Sequence, residues 1–414
     1  MYRRLFRNRN FMALWTGQLI SFIGDYFNWL AIPILVNRLT GSATMVGLSV
    51  MATALPALFL GPVAGVFVDR WDRRRVMIAS DVVRGLLVLS LLTIHTAEQV
   101  WIFYLVGFLV SCTSQFFFPS RGAVLPLIVT DEGDWLAANG MMQIIQMVGL
   151  LAGPALAGFA IGLWGEHVAF IANSIGYMAS AVAVSTMVVP RTTSGIASGS
   201  QPWRMVAGDL REGLVYLFTH RSTIGVMVCL TVAMLGVGAI NVIWVPYLQR
   251  VFGVGAEGLG IVDSAQGAGM LIGGLLLGVA AAHVHKSFLS GSGLILIGVM
   301  FALMGFSPLF FLIVAESFLV GLALVPVQSS LATIMQLSVP DLKRGRVGSS
   351  MNAVTTAGSL LSMAFAAFFG EKIGLRNVYL VIGVFISLSG ILGFWLLKET
   401  PVVQPLLEKE HELT

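Results

Sequence analysis

Twelve mostly apolar stretches follow one another along this chain, at roughly 11–37, 44–68, 76–95, 99–120, 136–163, 167–189, 222–248, 258–282, 288–306, 309–333, 347–371 and 376–397. Each is near the ~20 residues that an α-helix needs to cross the hydrocarbon of a bilayer. Polar residues gather between the stretches instead of alternating within them, so the pattern predicts an all-α membrane protein. One break differs in kind. The segment Pro190-Arg-Thr-Thr-Ser-Gly-Ile-Ala-Ser-Gly-Ser-Gln-Pro202 is long, polar and rich in Gly and Ser, and it parts six helices from six. The expected units are a six-helix half at 1–189, a linker at 190–221, a second six-helix half at 222–398 and a tail at 399–414. Within the linker, 203–220 reads as an amphipathic surface helix, with Asp209, Arg211 and Glu212 set against Leu210, Leu214 and Leu217.

Composition agrees. Charged residues make up 11% of the 414, against 57% hydrophobic, whereas a soluble domain carries about 25% charged residues. The surplus of cations follows topology and is no nucleic-acid footprint. Lys and Arg fall before the first helix, at 70–75, at Arg121, in the linker, at Lys286, at 343–346 and in the tail. The opposite face holds only Arg38, Arg250, Lys372 and Arg376, so both termini are expected in the cytoplasm. The basic start lacks a small-residue cleavage site and reads as a tail before a retained helix. Cys112 and Cys229 lie in separate apolar segments and read as small hydrophobes. Without a metal cluster, nucleophile motif or phosphate loop in the sequence, the expectation is a protein that is not an enzyme and needs no cofactor.

Ionisable residues deep in a membrane helix are costly unless paired or hydrated, so each is a functional candidate. Asp25 lies in the first helix on one face with Gln18 and Ser21; its role is reversible protonation or a permanent ion pair. Asp81 and Arg84, three apart in the third helix, can pair with each other, and Arg84 is also placed to meet Asp25 or an anionic substrate group. Asp263 in the eighth helix and Glu316 in the tenth are candidates for a second proton or cation site. Gln18, Asn28, Gln115, Gln143, Gln146 and Asn173 in the first half, and Asn241, Gln266, Gln328 and Asn352 in the second, are the candidate polar lining of a pocket. The 19 methionines and the aromatic residues suit adaptable apolar walls for bulky amphipathic compounds. Weak internal repetition supports a duplicated 6+6 plan: Pro119 and Asn139 follow the fourth helix much as Pro326 and Asn352 follow the tenth.

Between the second and third helices stands Gly65-Val-Phe-Val-Asp69-Arg70-Trp71-Asp72-Arg73-Arg74-Arg75, with six of the seven residues from Asp69 charged. It resembles the Gly-x-x-x-Asp-Arg-x-Gly-Arg-Arg-Arg signature of the major facilitator superfamily, with Asp72 in place of the glycine. Its counterpart after the eighth helix is worn, with Ala282-His283 where the Asp-Arg pair would stand. In the fifth helix, Gly149, Gly153, Pro154 and Gly158 are similar to the Gly-x-x-x-Gly-Pro-x-x-Gly-Gly motif of that superfamily's antiporters, with Ala157 replacing one glycine. Small residues at this spacing let helices approach closely, and the proline bends the helix. Gly17-Gln18-x-x-Ser21-x-x-Gly24-Asp25, Asp81-x-x-Arg84 and Phe118-Pro119-Ser120-Arg121 resemble the macrolide-efflux and enterobactin-exporter branch, to which lysophospholipid transporters are related.

That resemblance implies the major facilitator fold, twelve transmembrane helices in two pseudo-symmetric halves. It implies a monomeric secondary active exporter in the bacterial inner membrane, partnered by lipid and by an amphipathic drug-, macrolide- or siderophore-like substrate. Transport would proceed by alternating access, driven by proton antiport through Asp25, with Glu316 and Asp263 as further candidates. The same likeness makes Gly65, Asp69, Arg70, Asp72, Arg73 and Arg121 a latch on the cytoplasmic side, with Asp69 near the start of the eleventh helix. A lysophospholipid transporter or flippase of the same fold is the alternative, and a non-transporting membrane receptor or scaffold a weaker one.

Overall fold

Asn8 sets where the first long helix begins: its side-chain oxygen accepts the Phe11 N–H at 3.1 Å. Gly41 sets where it stops, entering the left-handed region at φ +60° and donating its N–H to Asn37 O at 2.8 Å. Glycine takes that conformation without the Cβ clash of other residues. Such caps, more than the edges of the apolar runs, fix the helix lengths, and this is why several helices outrun their predicted spans.

The structure is a computed structural model that describes residues 2–68, 71–190, 202–280 and 284–397. In chain order the helices are α1 (Tyr2–Arg7), α2 (Arg9–Thr40), α3 (Ala43–Val68), α4 (Arg73–Ser90), α5 (Trp101–Ile128), α6 (Trp135–Trp164) and α7 (His167–Ser185). They continue as α8 (Pro202–Thr219), α9 (Arg221–Phe252), α10 (Ala256–Ala280), α11 (Lys286–Phe306), α12 (Phe310–Ser338), α13 (Arg344–Ile373) and α14 (Leu375–Leu396). All but α1 and α8 are long and apolar enough to cross a membrane, twelve in total among the described residues. No strand occurs among those residues. The third span starts earlier and stops earlier than its apolar run, because Asp72 caps α4 and a 3-10 turn at Leu91–Thr93 ends it.

Packing repeats between the halves. α2 packs on α6 and α7, α3 on α5, and α4 on α5 and α7. In the same way α9 packs on α13 and α14, α10 on α12, and α11 on α12 and α14. The repeat reaches individual residues: Asn37-Arg38-Leu-Thr-Gly41 ends α2, and Gln249-Arg250-Val-Phe-Gly253 ends α9. Gly253, at φ +66°, closes on Gln249 O at 3.1 Å, as Gly41 closes on Asn37. The side chains of Asn37 and Gln249, equivalent positions in the two halves, meet at 2.7 Å.

The halves join through α3 with α13 and α6 with α10; exchanging the halves turns one interface into the other. At the second interface α6 and α10 touch backbone to backbone. A Cβ on Gly158 would stand 2.5 Å from Ala256 O, and one on Gly260 2.5 Å from Pro154 O. Gly158→Ala and Gly260→Ala are therefore expected to destabilise the protein by about 1–3 kcal/mol through overpacking. Gly140→Ala on the same α6, where nothing lies within 4 Å, is expected to be neutral. Thermal unfolding in detergent checks this, and equal midpoints for Gly158→Ala and Gly140→Ala would refute the close-approach argument.

The linker helix α8 is amphipathic as expected, but its polar face is not left to solvent. Asp209 and Glu212 bind Arg346 at 2.8 and 2.6 Å, and Glu212 lies 3.4 Å from Lys343. Tyr216 donates its hydroxyl to Ser338 O at 3.2 Å. α8 is thus fastened to the start of α13 and the end of α12. The remainder of the linker at 191–201 and the tail at 398–414 lie outside the described residues.

Candidate functional site

The bundle has two ends, a terminal face where α2 begins and α14 ends, and a far face opposite. On the terminal face the charged loop staples helices of the first half. Asp72, the residue replacing the signature glycine, is the N-cap of α4 and accepts the Arg75 N–H at 3.1 Å. Arg73 reaches Ala123 O of α5 at 3.4 Å, and Arg74 reaches Val184 O at 3.2 Å and also Ser185 O. A cation over the last carbonyls of α7 complements the negative end of that helix. Trp71 sits between the rings of Phe67 and Phe116, at 5.7 and 5.9 Å. Gly65 falls in α3, while Asp69 and Arg70 of the expected latch lie outside the described residues, as do Ala282 and His283.

Deeper in the first half a polar network crosses four helices. Arg84 of α4 is 2% exposed and Asp81 is 0%. They are bonded to each other, so the pair lies within one helix. The guanidinium is stacked between the rings of Phe117 and Tyr177, 4.3 and 4.4 Å from their centroids, a favourable seat for a cation. Tyr177 of α7 donates its hydroxyl to Asp25 Oδ1 at 2.5 Å. Nearer the terminal face, Arg121 of α5 donates to Gln18 Oε1 at 3.2 Å, and Gln18 Nε2 to Ser180 Oγ at 3.3 Å. Ser180 also faces the Asp81 carboxyl, which brings Asp25, Asp81, Arg84, Arg121 and Gln18 into one assembly. Asp81 is hydrogen-bonded to Arg84, whereas Asp25 takes its hydrogen bond from the Tyr177 hydroxyl and meets the charge of Arg84 across that tyrosine.

At the far face, hydrogen bonds join the halves. Arg250 of α9 binds Glu371 of α13 at 2.8 Å, Asn37 Oδ1 at 3.1 Å and Gly41 O at 2.7 Å. Glu371 accepts the Ala43 N–H at the start of α3 at 2.7 Å, and Thr44 donates to Ala367 O at 2.6 Å. The equivalent Arg38 instead pairs within its own half, with Glu166 at 2.8 Å. In the sequence Arg38 and Arg250 stand out only as cations of the outer face, and nothing singles out Glu371. The signal was present in the matching helix ends Asn37-Arg38-x-x-Gly41 and Gln249-Arg250-x-x-Gly253. Removing Arg250 deletes charge-assisted bonds from a half-exposed site and is expected to weaken the seal by about 1–2 kcal/mol. In Arg250→Ala, a cysteine placed at Asn241 is expected to react severalfold faster with a bulky thiol reagent applied from the far face. An unchanged rate would show that the seal rests on helix packing alone.

Beneath the seal, between the halves, lies a cavity of ≈ 260 Å³, with most of its lining from α9 to α12. Tyr26 and Trp29 enter it from α2 and Pro154 from α6, facing Asn241, Trp244, Asp263 and Gln266. The glycines of α6 position this wall: a Cβ at Gly149 would strike Phe22, and one at Gly153 would strike Tyr26, at 2.3 and 2.5 Å.

A model of the Major Facilitator Superfamily matches residues 14–225 and 226–413. The chain belongs to the major facilitator superfamily. Macrolide efflux protein A of Streptococcus pyogenes is 26% identical over 381 residues, covering 91% of this chain and 93% of that protein. Multidrug efflux pump Tap of Mycobacterium bovis (strain BCG / Pasteur 1173P2) is 26% identical over 392 residues, covering 91% and 90%. Among solved structures, a bacterial homologue of the iron transporter ferroportin in the inward-facing state aligns with TM-score 0.76 at 15% identity, covering 94% of this chain and 99% of that one. This last likeness is one of fold. The chain is a multi-pass membrane transporter of the superfamily and not an enzyme.

In this facilitator the other expected residues are scattered. Of the polar lining, Asn241 and Gln266 face the cavity. Gln143, Gln146 and Gln328 are exposed, Gln115 lies against Gly61, and Asn28 Oδ1 is buried without a partner. Glu316 accepts the Ser307 hydroxyl at 2.6 Å, bracing the turn from α11 to α12, and only its neighbour Ser317 lines the cavity.

Proposed function

We propose that this transporter is a secondary active exporter of amphipathic small molecules, working by alternating access in exchange for protons. One observation carries the reading: two equivalent halves are hydrogen-bonded together at the far face over a cavity that lies on their interface. A body of this form is one of the two end states that alternating access requires, and its exchange partner would open at Arg250 and Glu371. Export is supported by the likeness over nine tenths of the chain to proteins named for efflux. With the terminal face in the cytoplasm, as the Lys and Arg distribution favours, the sealed end faces outward and the cavity belongs to an inward-facing state. The setting is then the bacterial inner membrane, with the chain acting as a monomer.

Asp25 is the acid best suited to proton exchange, because its bond to the network runs through a neutral hydroxyl while Asp81 is held by a guanidinium. The terminal-face loop, with Asp69 at its centre, acts as the latch of the alternate state. The test is flux in proteoliposomes under an imposed pH gradient, with a macrolide, a hydrophobic drug and a lysophospholipid offered separately. Drug or macrolide accumulation driven by the gradient is the expected result. Flux of the lysophospholipid alone would reassign the chain to lipid transport, and no flux of any of the three would leave a receptor or scaffold.

A further inference from the structure

Asp263 brings a carboxyl group into the interfacial cavity without a counter-ion. Its Oδ2 is buried with no hydrogen-bond partner, and it makes no ion pair among the described residues. The donor facing it is the indole N–H of Trp244, a neutral group that brings no counter-charge. Its ionisable neighbours include two tyrosines, Tyr26 and Tyr379, and among the described residues no cation pairs with Asp263 itself. The first-half acids differ, since Asp81 has Arg84 and Asp25 has Tyr177. An acid left unpaired at this depth is expensive to keep, and its partner is to be sought in what enters the cavity.

The walls narrow the choice. Tyr26, Trp29 and Trp244 supply aromatic rings, whose faces attract cations. Ile240, Val320 and Leu324 supply apolar surface for bulky substituents. No group of three acidic, histidine or cysteine side chains that could hold a metal ion forms among the described residues, and a carboxylate repels anions. We propose that the cavity binds a lipophilic organic cation, of the ammonium or phosphonium kind, with Asp263 as its counter-ion and Tyr26, Trp29 and Trp244 as its aromatic wall. What is carried rests on the exporter reading; the binding site does not.

The test is equilibrium dialysis of the purified full-length chain against tetraphenylphosphonium and its neutral analogue triphenylphosphine oxide. The cation is expected to bind at least about tenfold more tightly than the neutral compound. Asp263→Asn should erase that preference and leave the neutral compound's affinity unchanged, while Asp263→Glu should retain the preference. Equal affinity of the two ligands for the unaltered chain, or a preference that survives Asp263→Asn, overturns the proposal. The first comparison needs no variant, so it decides the matter even where a substitution prevents folding. Flux measurements separate the two readings. A cation preference in a chain that moves no compound leaves the site standing and removes the exporter. Drug flux without a preference does the reverse.

Discussion

Asp25→Asn is expected to leave substrate binding and downhill exchange intact while accumulation driven by a pH gradient falls to background. Asparagine matches aspartate in shape, and its side-chain carbonyl can still accept the Tyr177 hydroxyl that Asp25 accepts at 2.5 Å. What it cannot do is take up and release a proton. A gradient of one pH unit is worth about 1.4 kcal/mol per proton, or about a tenfold accumulation ratio for one-to-one exchange. The variant should forfeit that ratio and equilibrate its substrate instead. The measurement is uptake into proteoliposomes with and without an imposed gradient, beside binding of the same compound to detergent-purified protein. Accumulation at the level of the unaltered chain, with the same pH dependence, would move the coupling role to another acid, with Glu316 and Asp263 next in line.

Arg84→Ala should fail at the level of folding. The guanidinium and the Asp81 carboxylate are both sealed from solvent, at 2% and 0% exposure, and removal of one partner strands the other as an uncompensated buried charge. Such losses cost about 3–5 kcal/mol, a large part of the 5–15 kcal/mol that stabilises a typical protein. The stacking on Phe117 and Tyr177 goes as well. Arg84→Lys should rescue little, because an ammonium lacks the flat surface that lies between the two rings. The double variant Asp81→Asn with Arg84→Met should recover much of the folded yield, since the Asp81 charge is then removed together with its partner. Monodisperse yield and unfolding temperature in detergent decide the point. A single Arg84→Ala that unfolds at the temperature of the unaltered chain would show the pair to be structurally idle.

The spans and the division into two sets of six were legible because apolar runs of bilayer length cannot be mistaken for much else. Which side of each helix looks inward was not legible. A helix apolar all round, as α3 is, carries no stripe to orient it, for lipid and neighbouring helices ask for the same residue types. This is why the sequence pattern does not single out Trp29 and Trp244, which face the cavity. Asp81 and Arg84 were readable as a pair because a spacing of three fixes them on one face. Arg250 with Glu371 was not, since the partners are 121 residues apart and only the fold brings them together. Asp72 was noted as a departure from the family signature, but its role as the cap of α4 emerged only from backbone geometry.

The ionic network draws on α2, α4, α5 and α7, whereas the cavity wall belongs mainly to α9 through α12. On the exporter reading, the first copy of the architectural unit carries most of the coupling network and the second shapes most of the space for cargo. Such a division makes the halves exchangeable in principle. A chimera joining α1–α7 of this chain to the second half of a relative should inherit that relative's range of compounds while retaining this chain's response to pH. New specificities can then arise by drift in one repeat without disturbing the motor in the other.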